Sequence, residues 1–333
     1  MTEEYWTERS SKSLITSENI TNKNIPKVMD IYNEAFRNID KQIKSIYDNY
    51  SKKGILDVSE LKKTLDPKEK IEFVNNVRIK AKKLGIKSSE VYDERYLFRL
   101  SRLKALREEI GLEILNIAPQ ADSIYTLNFT NLINKTYNSM VKDLNTQGIT
   151  TSFSTLNKPM MKVLLGSNWE GGNYSTRIWG NTGDFAKELQ VILGGALESG
   201  TSYQKTAKLL QTKFEVSKID ATRLIRTETN YFHNQTDIQS YVDNEIEEYD
   251  ILTALEPCPI CLEKAKGNPY KTSEMSVGLN CCPFHPNDRC TTVAHFEEKP
   301  KRQTPTFDDR TFRFDNNFVN VDYKKEIVSN YFA

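Results

Sequence analysis

Cys258-Pro259-Ile260-Cys261 and Cys281-Cys282-Pro283-Phe284-His285-Pro286-Asn287-Asp288-Arg289-Cys290 flank a polar loop and hold all five cysteines of the chain. The span from Glu256 to Phe296 also carries two of its three histidines. A disulfide framework spreads its cysteines through a secreted chain, whereas a cluster in a cytosolic protein points to a metal. Structural zinc takes four tetrahedral thiolate or imidazole ligands and commonly opens with a C-x2-4-C pair. Cys258 and Cys261 supply that pair; His285 and Cys290 can supply the second, giving Cys3His. Cys281 and Cys282 are substitutes for His285 or Cys290, although neighbouring residues cannot both point into one site without a kink. Pro257, Pro259, Pro283 and Pro286 stiffen the chain and reduce the entropy lost when a site forms. A structural Zn2+ contributes on the order of 10–16 kcal/mol in finger peptides, enough to close a small polar domain. The plainer alternative is a set of inert cysteines that only pack.

Outward from this segment, Glu248–Leu255 reads as a strand entering the cysteine knuckle and Thr291–Phe296 as a strand leaving it. Upstream, three helices are expected: one capped by Asp184, one opened by the capping box Thr201-x-x-Gln204, one opened by Ser217-x-x-Asp220. The last carries Arg226-Thr227-Glu228-Thr229. Arg226 and Glu228 are two apart and do not face each other on a helix, so each is expected to pair elsewhere, with a neighbouring helix or the zinc loop. Residues 148–183 are rich in Gly, Ser, Thr and Asn and read as an irregular connection.

The N-terminal half shows long apolar stripes at helical spacing. They run from Val28 to Ile46 after Pro26, from Ile71 to Leu84, and from Leu97 to Leu144 with a break at Ala118-Pro119. Tyr5, Trp6, Leu14 and Ile15 suggest a short first helix with an aromatic anchor. Arg78, Lys80, Lys82, Lys83 and Lys87 form a basic face, either simply solvated or able to contact DNA phosphates without sequence preference. The tail from Lys299, with Phe307, Phe312, Phe314 and Phe318, reads as an extended arm.

These features imply an α+β, predominantly α-helical chain. A long-helix N-terminal region (1–150) leads through the Gly/Asn-rich connection (151–183) to a small helical domain (184–298). That domain carries a short β-hairpin closed by a zinc clip, and the C-terminal arm (299–333) follows. The 46 basic and 45 acidic residues give a net charge of +1, which excludes a strongly basic coat for nucleic acid. No apolar run approaches the ~18 residues of a membrane span. The acidic start lacks the apolar core of a secretory signal, so synthesis in a reducing cytoplasm is expected. No Walker-type phosphate loop or nucleophile elbow is present.

The order R-T-E-T (226–229), C-x-x-C (258–261) and H-P-N-D-R-C (285–290) resembles the phage minor head, or head-morphogenesis, proteins of the Mu F type. Tyr5-Trp6 followed by Arg9 resembles longer members of that family. The family commonly closes with H-P-x-C-R-C, and Asp288 stands here where the first of those cysteines would fall, which favours His285 with Cys290. The resemblance covers roughly residues 184–296. It implies a minor capsid component inside the virion head, associating with portal, capsid and scaffold proteins during assembly and able to leave with phage DNA at ejection. The competing expectation is an H-N-H-type nuclease built on His285, Asn287 and His295, with the cysteines as zinc support and a second metal at the histidines.

Overall fold

The computed structural model describes residues 3–52, 55–85, 94–151 and 155–296. Lys87 and the arm 299–333, with Phe307, Phe312, Phe314 and Phe318, lie outside the described residues. The chain opens with α1 (Glu3–Asn22) and α2 (Ile25–Tyr50), and Pro26 occupies the first turn of α2, where its missing N–H costs nothing. A two-stranded ladder, β1 (Ser51–Lys52) with β2 (Ile55–Leu56), leads to α3 (Val58–Lys62). Helix α4 (Pro67–Lys83) starts with a reciprocal capping box between Asp66 and Glu69. It is followed by Gly85, whose φ of +76° suits a residue without Cβ.

Next come α5 (Glu94–Phe98), α6 (Arg102–Leu115) and α7 (Ile117–Thr146). The interruption expected at Ala118-Pro119 falls at Asn116 instead. Pro119 then lies in the first turn of α7, the one part of a helix that tolerates it.

Two sequence expectations are corrected here. The stretch 148–183 is not simply irregular: it holds α8 (Lys158–Gly166) and the start of α9 (Tyr174–Glu198). Ile178, Trp179 and Thr182 are buried on α9, and that burial outweighs the low helix propensity of Gly180 and Gly183. Asp184, Gly194 and Gly195 therefore lie inside α9. A Cβ on Gly194 would sit 2.8 Å from the Arg107 guanidinium, so glycine allows close approach there. In the second correction, α10 runs unbroken from Tyr203 to Asp243. Ser217-x-x-Asp220 is a capping pattern inside a helix, because Leu210, Phe214, Ala221 and Ile225 stay buried in one phase through it.

After α10 come β3 (Glu248–Leu252), α11 (Pro259–Ala265), β4 (Tyr270–Lys271) and β5 (Thr291–His295). The expected strand pair is present: β3 and β5 are antiparallel, in register from Glu248↔His295 to Leu252↔Thr291. β4 adds a third, short strand on the other side of β3. Beyond it the Asn268 side chain acts as more strand: its amide accepts from Ile251 N (2.8 Å) and donates to Ile251 O (3.0 Å). Among the described residues no helix is long and apolar enough to cross a membrane.

The chain divides into two compact units. One takes its described residues from Met1–Pro26, Ile124–Tyr174 and Thr222–Val319; the other takes them from Lys27–Ser123 and Ser175–Ala221. In the second unit Arg102 binds Glu69 at 2.7 Å, and Tyr50 donates to the same carboxylate at 2.6 Å. Phe73, Val77 and Ala81 of α4 pack with Leu100, Ala105 and Leu112.

In the first unit, Trp6 of α1 joins Met140, Leu144, Ile238, Tyr241, Tyr249 and Val293 in one apolar core. Beside it every residue of α10 from Thr227 to Tyr241 is buried, most of them polar. Thr229 and Thr236 bond back to carbonyls one turn earlier. Thr229 also meets Thr21 at 2.6 Å, and Asn234 accepts from Thr292 N at 2.8 Å. Arg9 supplies the charge balance, with Nε 3.0 Å from Asp143 and Nη1 3.4 Å from the fully buried Asp237.

His233 is enclosed with Nδ1 3.0 Å from Ser17 Oγ and Nε2 3.1 Å from Thr291 Oγ1. Burial lowers its pKa, although Asp237 acts in the opposite direction.

Removing Arg9 leaves Asp237 buried without its cation, so R9M is expected to cost about 3–5 kcal/mol in urea unfolding. His233 adds a pH dependence. Its folded pKa lies below the ordinary imidazole value of about 6.5, so the unfolded chain binds the extra proton. This contribution to stability is complete above that value and declines as pH falls below it. H233Q should flatten the decline; an unchanged slope would contradict the neutral buried ring.

Candidate metal centre

Cys258 is the N-cap of α11 and Pro259 its first residue, a pairing that starts a helix without wasting an N–H. The cap is made by sulfur: Cys258 Sγ accepts from Cys261 N at 3.5 Å. One helical turn thus brings the two thiols to 3.5 Å of each other. His285 Nε2 lies 3.3 Å from each of them. Its Nδ1 is 2.9 Å from the Pro286 carbonyl oxygen, which can only accept, so Nδ1 carries the proton. That bond leaves the Nε2 lone pair directed at the two sulfurs, the tautomer a metal ligand requires.

A second group shares Cys261. Donor atoms of Cys261, Asp288 and Cys290 lie within 4.8 Å of one another, and all three residues are buried. Asp288 Oδ1 is 3.7 Å from Cys261 Sγ and accepts from Cys290 N at 2.9 Å, while Oδ2 accepts from Phe284 N at 2.8 Å. The loop is wound around this carboxylate. Asn287 sits at φ +59°, a conformation asparagine tolerates, and its N–H donates to Thr227 Oγ1 at 3.0 Å.

The thiols are not equivalent. The Cys261 N–H bond lowers the Cys258 pKa, so its thiolate forms more readily than that of an ordinary cysteine. Burial pushes the Cys261 and Cys282 thiols up. Cys290 is lowered, chiefly by its bond with Cys282. The Pro286 carbonyl raises His285, with Asp288 and Cys258 adding to it. The arrangement could hold a metal ion.

The other residues of the motif divide cleanly. Cys281 lies in the apolar core with Trp6 and Tyr249, away from the donor groups. Cys282 packs with Ile251, Cys261 and Cys290. Thr227 and Asn230 hold the loop, the latter donating to Cys290 O at 2.7 Å. Glu228 is buried and accepts from Trp169 Nε1 at 3.1 Å, on the segment between α8 and α9. Thr229 faces Thr21, and Arg226 is exposed.

His295 pairs with Asp250 at 2.7 Å across β3 and β5, while His285 is engaged with the thiols. On α4, Arg78, Lys82 and Lys83 are exposed, but Lys80 is committed to Glu113 at 3.1 Å. Sequence reasoning passed over Asp288 as a buried donor. The signal was available, since an Asp side chain commonly accepts from the backbone two residues on.

Residues 187–293 match the model of the family described as phage Mu protein F like protein. The match runs from α9 to β5 and contains the R-T-E-T, C-x-x-C and H-P-N-D-R-C motifs in the order that carried the resemblance. No curated protein and no solved structure matches the chain.

Titration with Co2+ reads the thiolate ligands directly by their charge-transfer absorption. C258S and C261S should each weaken it, and H285A should lower metal affinity at least tenfold. C281S should leave the spectrum intact; a spectrum lost in C281S but kept in C258S would reverse the assignment.

Proposed function

We propose that this chain is a phage minor capsid, or head-morphogenesis, protein acting inside the virion head. The observation that carries the reading is the Mu F-like match over residues 187–293, which begins within α9 and ends within β5. In this reading the protein associates with the portal while capsid and scaffold proteins assemble, and it leaves with the DNA at ejection. Its cysteine loop is a structural clasp holding Zn2+ through Cys258, Cys261, His285 and Cys290.

The chemistry and spacing of the donors support zinc. A tetrahedral ion with Zn–S of about 2.3 Å and Zn–N of about 2.0–2.1 Å sets S···S near 3.8 Å and S···N near 3.5 Å. The separations of 3.5 and 3.3 Å are within a few tenths of an ångström of that. Cys290 adjoins this set through the second group that it forms with Cys261 and Asp288, and Asp288 holds the loop through Cys290 N and Phe284 N. When bound, the ion supplies cross-linking between α11 and the loop before β5, and no reaction is needed to explain it. Contact with DNA falls to the exposed Arg78, Lys82 and Lys83.

Three measurements test the parts separately. Mass spectrometry of purified virions should find the protein in full heads and depleted after DNA release; absence from virions would remove the ejection role. Metal analysis should give one zinc per chain, and a chelator should lower the melting temperature. Binding to duplex DNA should weaken steeply with salt and drop on R78E/K82E/K83E. Survival of unaltered binding in that variant would exclude the α4 face. Plasmid DNA with Mg2+ or Mn2+ should stay intact; cleavage lost in H285A and H295A would instead favour the nuclease.

A further inference from the structure

Arg226 is the member of the R-T-E-T motif that the fold does not use. Thr227, Glu228 and Thr229 are turned inward, whereas Arg226 is exposed and has no hydrogen bond or ion pair to any described residue. It lines a cavity of about 420 Å3 within the first unit, bounded by α1, α10 and the loop before β5. That volume lies in the range of small-ligand pockets, roughly 300–1,000 Å3.

The floor is already satisfied. Thr21 and Thr229 bond each other, Asn230 holds Cys290 O, and both oxygens of Asp288 take backbone N–H groups on the side of the cysteines. Leu14 adds apolar surface. On the rim Arg289 is neutralised by Glu18 in a two-point pair of 2.9 and 3.0 Å. The pocket is thus partly apolar and, among the described residues, edged by one guanidinium without a partner.

We infer that this cavity receives a carboxylate-bearing segment of a partner protein, its acidic side chain meeting Arg226 and its aliphatic stem resting on the apolar edge at Leu14. A guanidinium fork matches a carboxylate in two-point geometry. Nucleic acid fits less well, because non-specific binding sums over several phosphate contacts and among the described residues this rim offers one free cation. The inference rests on the pocket alone and stands apart from the head-assembly reading.

The test uses the full chain and two fluorescein-labelled hexapeptides, one with two glutamates and a leucine, the other with glutamines replacing the glutamates. Anisotropy should show the glutamate peptide binding at least tenfold tighter. R226A should abolish the difference, and R226K should restore part of it. An unlabelled DNA duplex should compete poorly. Arg226 is exposed, so R226A should melt with the wild type; R226Q gives the same reading if it does not. Equal binding of the two peptides, a preference that persists in R226A, or Arg226-dependent displacement by the duplex each overturns the inference.

Discussion

The buried polar run of α10, Thr227–Tyr241, sets the terms for the rest of its unit. A helix enclosed on every side is ordinarily apolar, because each buried polar group must find a partner or cost free energy. Here the partners come from elements far apart in sequence. α1 supplies Arg9, Ser17 and Thr21; α7 supplies Thr136; β5 supplies Thr291 and Thr292. Removing any one of these elements strands groups belonging to the others, and this mutual dependence holds non-consecutive segments in one body. It also selects a single arrangement, since a polar network rewards one register of its helices and penalises the rest.

The same device recurs around the cysteines. Short strands and tight loops leave main-chain groups without ladder partners, and those groups must be paired once buried. Asn268 completes β3, Asn230 and Asn234 grip the chain entering β5, and Asp288 and Thr227 hold the loop before it. Side-chain amides and oxygens do here what a larger sheet would otherwise do. An ion at Cys258, Cys261 and His285 would join a scaffold whose backbone is already largely satisfied.

What could be read from the residues follows from the range of each signal. C-P-I-C was legible because three residues on one turn place two sulfurs together whatever the surroundings. The β3–β5 pair was legible because Tyr249 and Ile251 alternate with polar neighbours. The continuity of α10 was not, because Ser217 and Asp220 imitate a helix start locally and only the distant packing of Phe214 and Ala221 overrules them. The start of α9 was hidden in the same way by its glycines. Least legible was the role of Arg9: nothing near it announces a carboxylate at Asp237, although an acidic residue in a run of buried Thr, Asn and Gln demands a cation from somewhere.

That pairing has a consequence for how the chain is made. A ribosome releases α1 long before β5, so Trp6 and Arg9 emerge well ahead of the core they enter. During that interval α1 exposes an indole and an unpaired guanidinium while α10 lacks its counter-charge. The first unit can therefore close only after translation has passed Thr292. Until then its N-terminal helix depends on low concentration or on a companion to avoid engaging the α10 of another copy, a route to exchanged dimers already present in the wiring of the fold.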